Sequence, residues 1–304
     1  MAVPMAALLL AFGADLVGLF QFSRKSNLFS YIPLVPAITI YLIWRDRKYF
    51  SPRIGTNLLI PGIFGLAGIT ALVLGRLAVS RGWPPAPVDW LSVTIFSFVC
   101  LFNACCFLAG GTANIRKLIF PLIFLFLMIP LPTFLTNFLT MVLQYSSAEV
   151  SYWFLKLSGM PVLRNGLVFQ LPKIDPLLVA PECSGIHSTL VLLITSMLAG
   201  HLFLRRPWRK WTLALAVIPL GIVRNGFRIF VIGWMSSNVD PGFIHGPLHR
   251  RGGPVFFVLS LVPLFALLFY FRRLERRETL PQKDPSEQTQ HGIVVEKREL
   301  CKKS

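Results

Sequence analysis

A cysteine, two arginines four residues apart and a histidine in a glycine-rich loop are the residues of this sequence best suited to bond-making chemistry. Cys183 falls in Val179-Ala180-Pro181-Glu182-Cys183-Ser184-Gly185-Ile186, where Pro181 and Ser184-Gly185 are residues of a turn and a helix start. The positive end of a helix dipole stabilises a thiolate, and the thiolate is the nucleophilic form. The same position equally suits a cysteine chosen only for its small size. Arg224 and Arg228, in Arg224-Asn225-Gly226-Phe227-Arg228, share one helix face. They sit inside an apolar stretch, where a charge costs at least ~2.5 kcal/mol near the membrane centre and marks a function unless it snorkels to the headgroups. His249 and His245 belong to the loop from Asp240 to Gly253; a histidine takes or gives a proton near neutral pH, although a lone loop histidine is usually only solvated. His187, four residues after Cys183, can share its helix face and compete for the same role. Together these residues suit acyl transfer: a thiolate attacks a carbonyl, a histidine moves the protons, and an arginine stabilises the thiolate or the oxyanion. Glu149 and Glu182 are candidate partners for the basic groups, while Asp240 reads better as a turn residue than as a histidine partner.

The elements that must hold these residues are membrane spans. Of the 304 residues, 54% are hydrophobic and only 14% charged, against about 25% charged in soluble domains. Counting about 20 apolar residues per span gives eight helices, at roughly 3–22, 28–44, 57–79, 90–109, 117–136, 185–204, 211–235 and 254–271. Between the fifth and sixth, residues 136–157 mix apolar residues with Asn137, Gln144, Ser146, Ser147, Glu149 and Lys156, as an amphipathic helix does when it lies in the interface or packs on the bundle. The expected fold is therefore all-α, a polytopic transmembrane helix bundle of about eight spans with an amphipathic outer-face segment between spans five and six. One membrane domain occupies 1–274, and the polar stretch 275–304 is expected to be a disordered cytoplasmic tail. The first apolar stretch lacks a basic leader and a small-residue cleavage site, so it reads as a retained span.

The net charge of +17 points to orientation rather than to nucleic acid, because the basic residues are clusters punctuating apolar runs. Arg45, Arg47, Lys48 and Arg53 follow the second span; Arg116 and Lys117 precede the fifth. Arg205, Arg206, Arg209 and Lys210 join the sixth to the seventh, and Arg272, Arg273, Arg276 and Arg277 follow the last. With eight spans all four clusters and both termini fall on one face, which the positive-inside rule makes cytoplasmic. Cys183, Arg228 and His249 then fall on the opposite, extracytoplasmic face. A ninth span at 136–157 would scatter the clusters over both faces. Cys100, Cys105 and Cys106 lie in an apolar run and read as small hydrophobes. No zinc spacing, disulfide framework, phosphate loop or dinucleotide fingerprint occurs, so neither a metal nor an organic cofactor is expected.

With these residues in view, the sequence resembles the exosortase/archaeosortase family of multipass cysteine transpeptidases. Val179-Ala180-Pro181-Glu182-Cys183-Ser184-Gly185 resembles the family's cysteine motif, Asn225 and Arg228 its Asn-x-x-Arg motif, and His249 with Gly253 its His-x-x-x-Gly block, followed by Phe256 and Phe257. Pro254 stands where many relatives have a tryptophan. Further similarity lies in Phe29-Ser30-Tyr31-Ile32-Pro33-Leu34-Val35-Pro36, Met128-Ile129-Pro130-Leu131-Pro132 and Gly159-Met160-Pro161-Val162, so that the resemblance covers roughly 28–271. It implies an enzyme of the bacterial cell (inner) membrane that acts on exported proteins. Their C-terminal sorting signal would be a short motif such as Pro-Glu-Pro, an apolar helix and a basic end. The enzyme would cut near the motif and pass the new carboxyl end to an acceptor. By position, the resemblance makes Cys183 the nucleophile, Arg228 the charge stabiliser and His249 the proton carrier in preference to His187 or His245, with Arg224, Asn225 and Gly253 in support.

Two other readings use the same residues. A thiol protease within the membrane would hydrolyse the thioester instead of transferring it. A transporter or lipid-handling protein would use the buried arginines to bind an anionic group and would tolerate loss of Cys183.

Overall fold

The computed structural model describes residues 2–46, 58–82, 85–172, 174–240, 242 and 253–279. Its helices are α1 (Ala2–Ala11), α2 (Gly13–Lys25), α3 (Leu34–Asp46), α4 (Leu59–Ser80), α5 (Pro87–Phe124), α6 (Thr133–Leu157), α7 (Ile186–Phe203), α8 (Pro207–Leu215), α9 (Val217–Asn238) and α10 (Gly253–Thr279). The chain is an all-α polytopic membrane bundle. Among the described residues five helices are long and apolar enough to cross a membrane, or seven if each of two bent pairs is one span.

The difference from eight lies mainly in the segment expected at 28–44. Its helical part, α3, has 13 residues, fewer than the ~20 a span needs, because residues 28–33 form turns ending in Pro33. This segment nonetheless packs on α5 and the turn that follows it, and it reaches α7 at two points. At one end Ser30 hydrogen-bonds His187 in the first turn of α7 (3.2 Å), and at the other the charges of Arg45 and Asp46 reach His201 in its last turn.

The expected spans at 90–109 and 117–136 are two limbs of α5 and its continuation. Asn103 Nδ2 donates to the Leu122 carbonyl (3.2 Å), 19 residues on, and Ser92 Oγ to that of Pro130 (2.8 Å). At 1.5 Å per residue a straight helix would hold Asn103 and Leu122 about 28 Å apart, so the two limbs lie side by side. Each polar side chain takes a backbone carbonyl as its partner, as a buried donor in an apolar medium must. The second limb stops at Met128, short of the expected 136. Ile129-Pro130-Leu131-Pro132 cannot continue a helix, and α6 leaves at 89°, its Thr133 N–H capped by the Asp89 carboxylate (2.6 Å).

α6 contains the segment expected to be amphipathic, and the structure specifies which side is polar. Gln144, Ser147, Ala148, Ser151 and Leu155 are buried, whereas Phe134, Phe138, Met141, Tyr145 and Trp153 are exposed. The polar and small residues thus face protein and the large apolar ones face outward, the arrangement suited to lipid rather than to water. The buried stripe lies on α9, where Gly226 permits the close approach: a Cβ there would come within 2.7 Å of Val150.

A small sheet adds to the helical plan. β1 (Leu163–Asn165), β2 (Val168–Gln170) and β3 (Leu177–Leu178) form an antiparallel sheet in the order β1-β2-β3, with Arg164 opposite Phe169 and Phe169 opposite Leu177. The first connection turns at Gly166 (φ +60°), the left-handed conformation that two-residue hairpins favour. Phe169, Leu171, Leu177 and Val179 then pack with Ala148 and Leu155 of α6 and Ile229 of α9 into one core that reaches Cys183.

At the other end α10 does not stop at the expected boundary of 274. It continues to Thr279 because Glu275 is buried against the α7–α8 connection, accepting hydrogen bonds from the backbone N–H groups of Arg205 (2.8 Å) and Arg206 (3.0 Å). The remainder of the expected tail, 280–304, lies outside the described residues.

Candidate active site

The strand β3 leads straight into the cysteine turn. Val179, the residue after it, is fastened on both sides: its N–H donates to the Leu167 carbonyl (3.0 Å), and its own carbonyl accepts from the Gln144 side chain. Pro181–Cys183 then form one 3-10 turn, closed by Cys183 N–H to Ala180 O (2.8 Å) and Ser184 N–H to Pro181 O (3.0 Å). α7 begins three residues later, so the thiol does stand at a helix N-terminus.

Gly185 makes that geometry possible. It sits immediately before α7 with φ +75°, and a Cβ on it would lie 2.8 Å from Arg224 Nη2 and 2.9 Å from Asn225 Oδ1. Both its left-handed backbone and the absence of a side chain are therefore needed. The space is filled by α9: Asn225 Nδ2 donates to the Cys183 carbonyl (2.6 Å), and Arg224 Nη2 donates to the Gly185 carbonyl (3.2 Å). Consecutive residues of one helix thus clamp the carbonyls on either side of Ser184, and that serine is itself 1% exposed.

The half-buried Cys183 thiol and Arg228 line one small cavity with Leu177, Leu178, Val179, Ile229 and Ile232, with a volume of about 20 Å³. That is room for about one water molecule. The charges of Arg228 and of Glu182 both act on the sulfur.

The structure therefore brings Cys183, Arg224, Asn225 and Arg228 together. His187 lies nearby in the first turn of α7, where its Nε2 shares a hydrogen bond with Ser30 Oγ and the Arg224 charge acts on it. His245 and His249 lie outside the described residues; Gly253 opens α10. Glu149, a candidate partner for the site arginines, is taken instead by Arg164 (2.5 Å). Asp240 accepts from the Gly242 N–H (2.9 Å) in a local turn. Among the described residues no three His, Cys, Asp or Glu side chains are grouped to hold a metal ion.

Two contributors to the site were missed as site residues from sequence. Gln144 was visible as a polar residue in an apolar segment, but nothing local says that it reaches the strand before the cysteine. Ser30 lies in the upstream similarity Phe29–Pro36, a stretch whose link to the site appears only in its hydrogen bond to His187.

A family model described as transmembrane exosortase (Exosortase_EpsH) matches residues 23–266, more than half of the chain. No curated protein and no solved structure matches.

Proposed function

The chain belongs to the transmembrane exosortase family, and from that premise we propose that it is a membrane-embedded cysteine transpeptidase that processes exported proteins at a C-terminal sorting signal. The single observation that carries this reading is the shared cavity of Cys183 and Arg228, with the cysteine turn held by Asn225. In this reading the Cys183 thiolate attacks the carbonyl carbon of the scissile peptide bond. A sulfur–carbon bond forms, and the carbonyl electrons move onto oxygen. Arg228 stabilises the developing negative charge. The oxyanion then collapses, the carbon–nitrogen bond breaks, and His249 gives a proton to the departing amine. An acceptor nucleophile, losing its proton to the same histidine, attacks the thioester carbon; the carbon–sulfur bond breaks and Cys183 leaves as the thiolate.

Membrane embedding supports the choice of substrate, since a signal with an apolar helix would bring its scissile bond to the end of the bundle from which Cys183 reacts. Sidedness supports it as well. The charges of Arg45 and Lys210 meet at His201, and Arg206 and Arg209 pair with Glu278 of α10 (2.9 and 2.5 Å). With Arg272 and Arg276 of α10 lining one cavity with His201 and Arg205, three of the basic clusters gather at the end of α7 opposite Cys183, as they would if that end were cytoplasmic and the thiol extracytoplasmic.

The test is co-expression with an exported protein that ends in a Pro-Glu-Pro-like motif, an apolar helix and a basic tail. The expected result is a shortened product with the wild-type enzyme. Full-length protein should remain with each of Cys183→Ala, Arg228→Gln and His249→Ala. Shortening that persists with Cys183→Ala would remove the cysteine from the chemistry.

A further inference from the structure

A second cavity lies at the far end of α7, away from the thiol. It measures about 440 Å³ and is walled by His201, Phe203, Arg205, Arg272, Glu275 and Arg276. That size is ordinary for a small-molecule site, and its charged lining residues are three arginines and one glutamate. The carboxylate is already engaged, by the backbone N–H groups of Arg205 and Arg206 and by Arg209 at 3.6 Å. Around the cavity Arg45 and Lys210 add positive charge that reaches His201, while Asp46 pairs with Arg45 at 3.0 Å.

The apolar side of the cavity is equally specific. The Arg272 guanidinium lies over the Phe203 ring at 5.6 Å, and Phe203 and its neighbour Leu202 are exposed side chains at the end of a helix able to cross a membrane. The cavity therefore combines cationic groups with an exposed apolar rim. Guanidinium groups pair with phosphate oxygens in a two-pronged fork, and an apolar rim suits the chains attached to that phosphate. We propose that this cavity binds the phosphate headgroup of an anionic phospholipid from the leaflet at the basic end of the bundle.

The experiment uses the full-length protein purified in a neutral detergent. Binding is read by native mass spectrometry with cardiolipin, phosphatidylglycerol, phosphatidylcholine and, separately, inorganic phosphate. The wild type should retain the two anionic lipids, and not phosphatidylcholine, through detergent removal. Arg205→Gln/Arg272→Gln should weaken that binding by roughly tenfold or more, since it removes two charged donors. Arg273→Gln removes one charge from the same helix outside the cavity and should leave binding unchanged. If the double variant does not purify folded, Arg272→Lys serves instead, since it keeps the charge and loses the fork. It should weaken binding severalfold. Undiminished binding in the variant that purifies, equal loss in Arg273→Gln, or equal retention of phosphatidylcholine would overturn the proposal. So would inorganic phosphate displacing the lipid at similar concentration, which would assign the cavity to a soluble anion.

Discussion

Arginine is treated in opposite ways at the two ends of this bundle. At the basic end Arg209 is 3% exposed and lies against two carboxylates, Glu278 at 2.5 Å and Glu275 at 3.6 Å. At the thiol end Arg224 is 8% exposed and donates to the Gly185 carbonyl. Arg228, one turn away, lines the cavity of Cys183. A buried cation that only ties helices together is cheapest when a carboxylate neutralises it. One held by a neutral carbonyl keeps its charge available to a sulfur or to a carbonyl oxygen in reaction. The difference separates an arginine set against carboxylates from arginines set beside the cysteine turn.

Substitutions can break that contrast or sharpen it. The largest effect should come from Cys183→Ala, with processing slowed by ~10⁴-fold or more, as when other enzymes lose a nucleophile; a time course of product formation in membranes measures it. Arg228→Gln should slow processing by roughly 10²–10³-fold, the scale of losing one oxyanion-stabilising donor, while the protein still accumulates in the membrane. Gly185→Ala forces a side chain into the space of Arg224 and Asn225 at φ +75°, a backbone cost of about 1–2 kcal/mol before any clash. It should lower both melting temperature and turnover. The smallest effect on turnover should come from Arg209→Gln. Removing this buried cation from between Glu275 and Glu278 should lower stability by on the order of 3 kcal/mol, seen as a lower melting temperature, with the rate per folded molecule unchanged. A turnover defect in Arg209→Gln as deep as that of Arg228→Gln would erase the distinction between the two ends.

Much of this was legible in the sequence because lipid imposes simple rules. Long apolar runs announced a helical bundle, and Pro181, Ser184 and Gly185 announced that Cys183 begins a helix. The spacing of Arg224 and Arg228 announced one helix face. What stayed hidden depends on contacts between distant segments. The three short strands carry no periodic signal of their own; they exist because Val168, Phe169 and Leu177 can pair beside α6. Hydrophobicity alone could not stop the fifth span at Met128, where Pro130 and Pro132 halt the helix inside an apolar run. Glu275 reads as the first residue of a polar tail until the backbone N–H groups of Arg205 and Arg206 are seen to need it. Asn225 appeared as part of a motif, but its bond to the Cys183 carbonyl is a fact of tertiary structure.

The most direct measurement is the mass of the enzyme recovered from a brief incubation with an exported substrate carrying the C-terminal signal. The expected result is a thioester adduct on the peptide containing Cys183, labile to hydroxylamine, absent from Cys183→Ala and scarce in Arg228→Gln. Substrate cut at the normal rate with no adduct on Cys183, or cut equally by Cys183→Ala, would contradict the assignment of this end of the bundle to thiol chemistry.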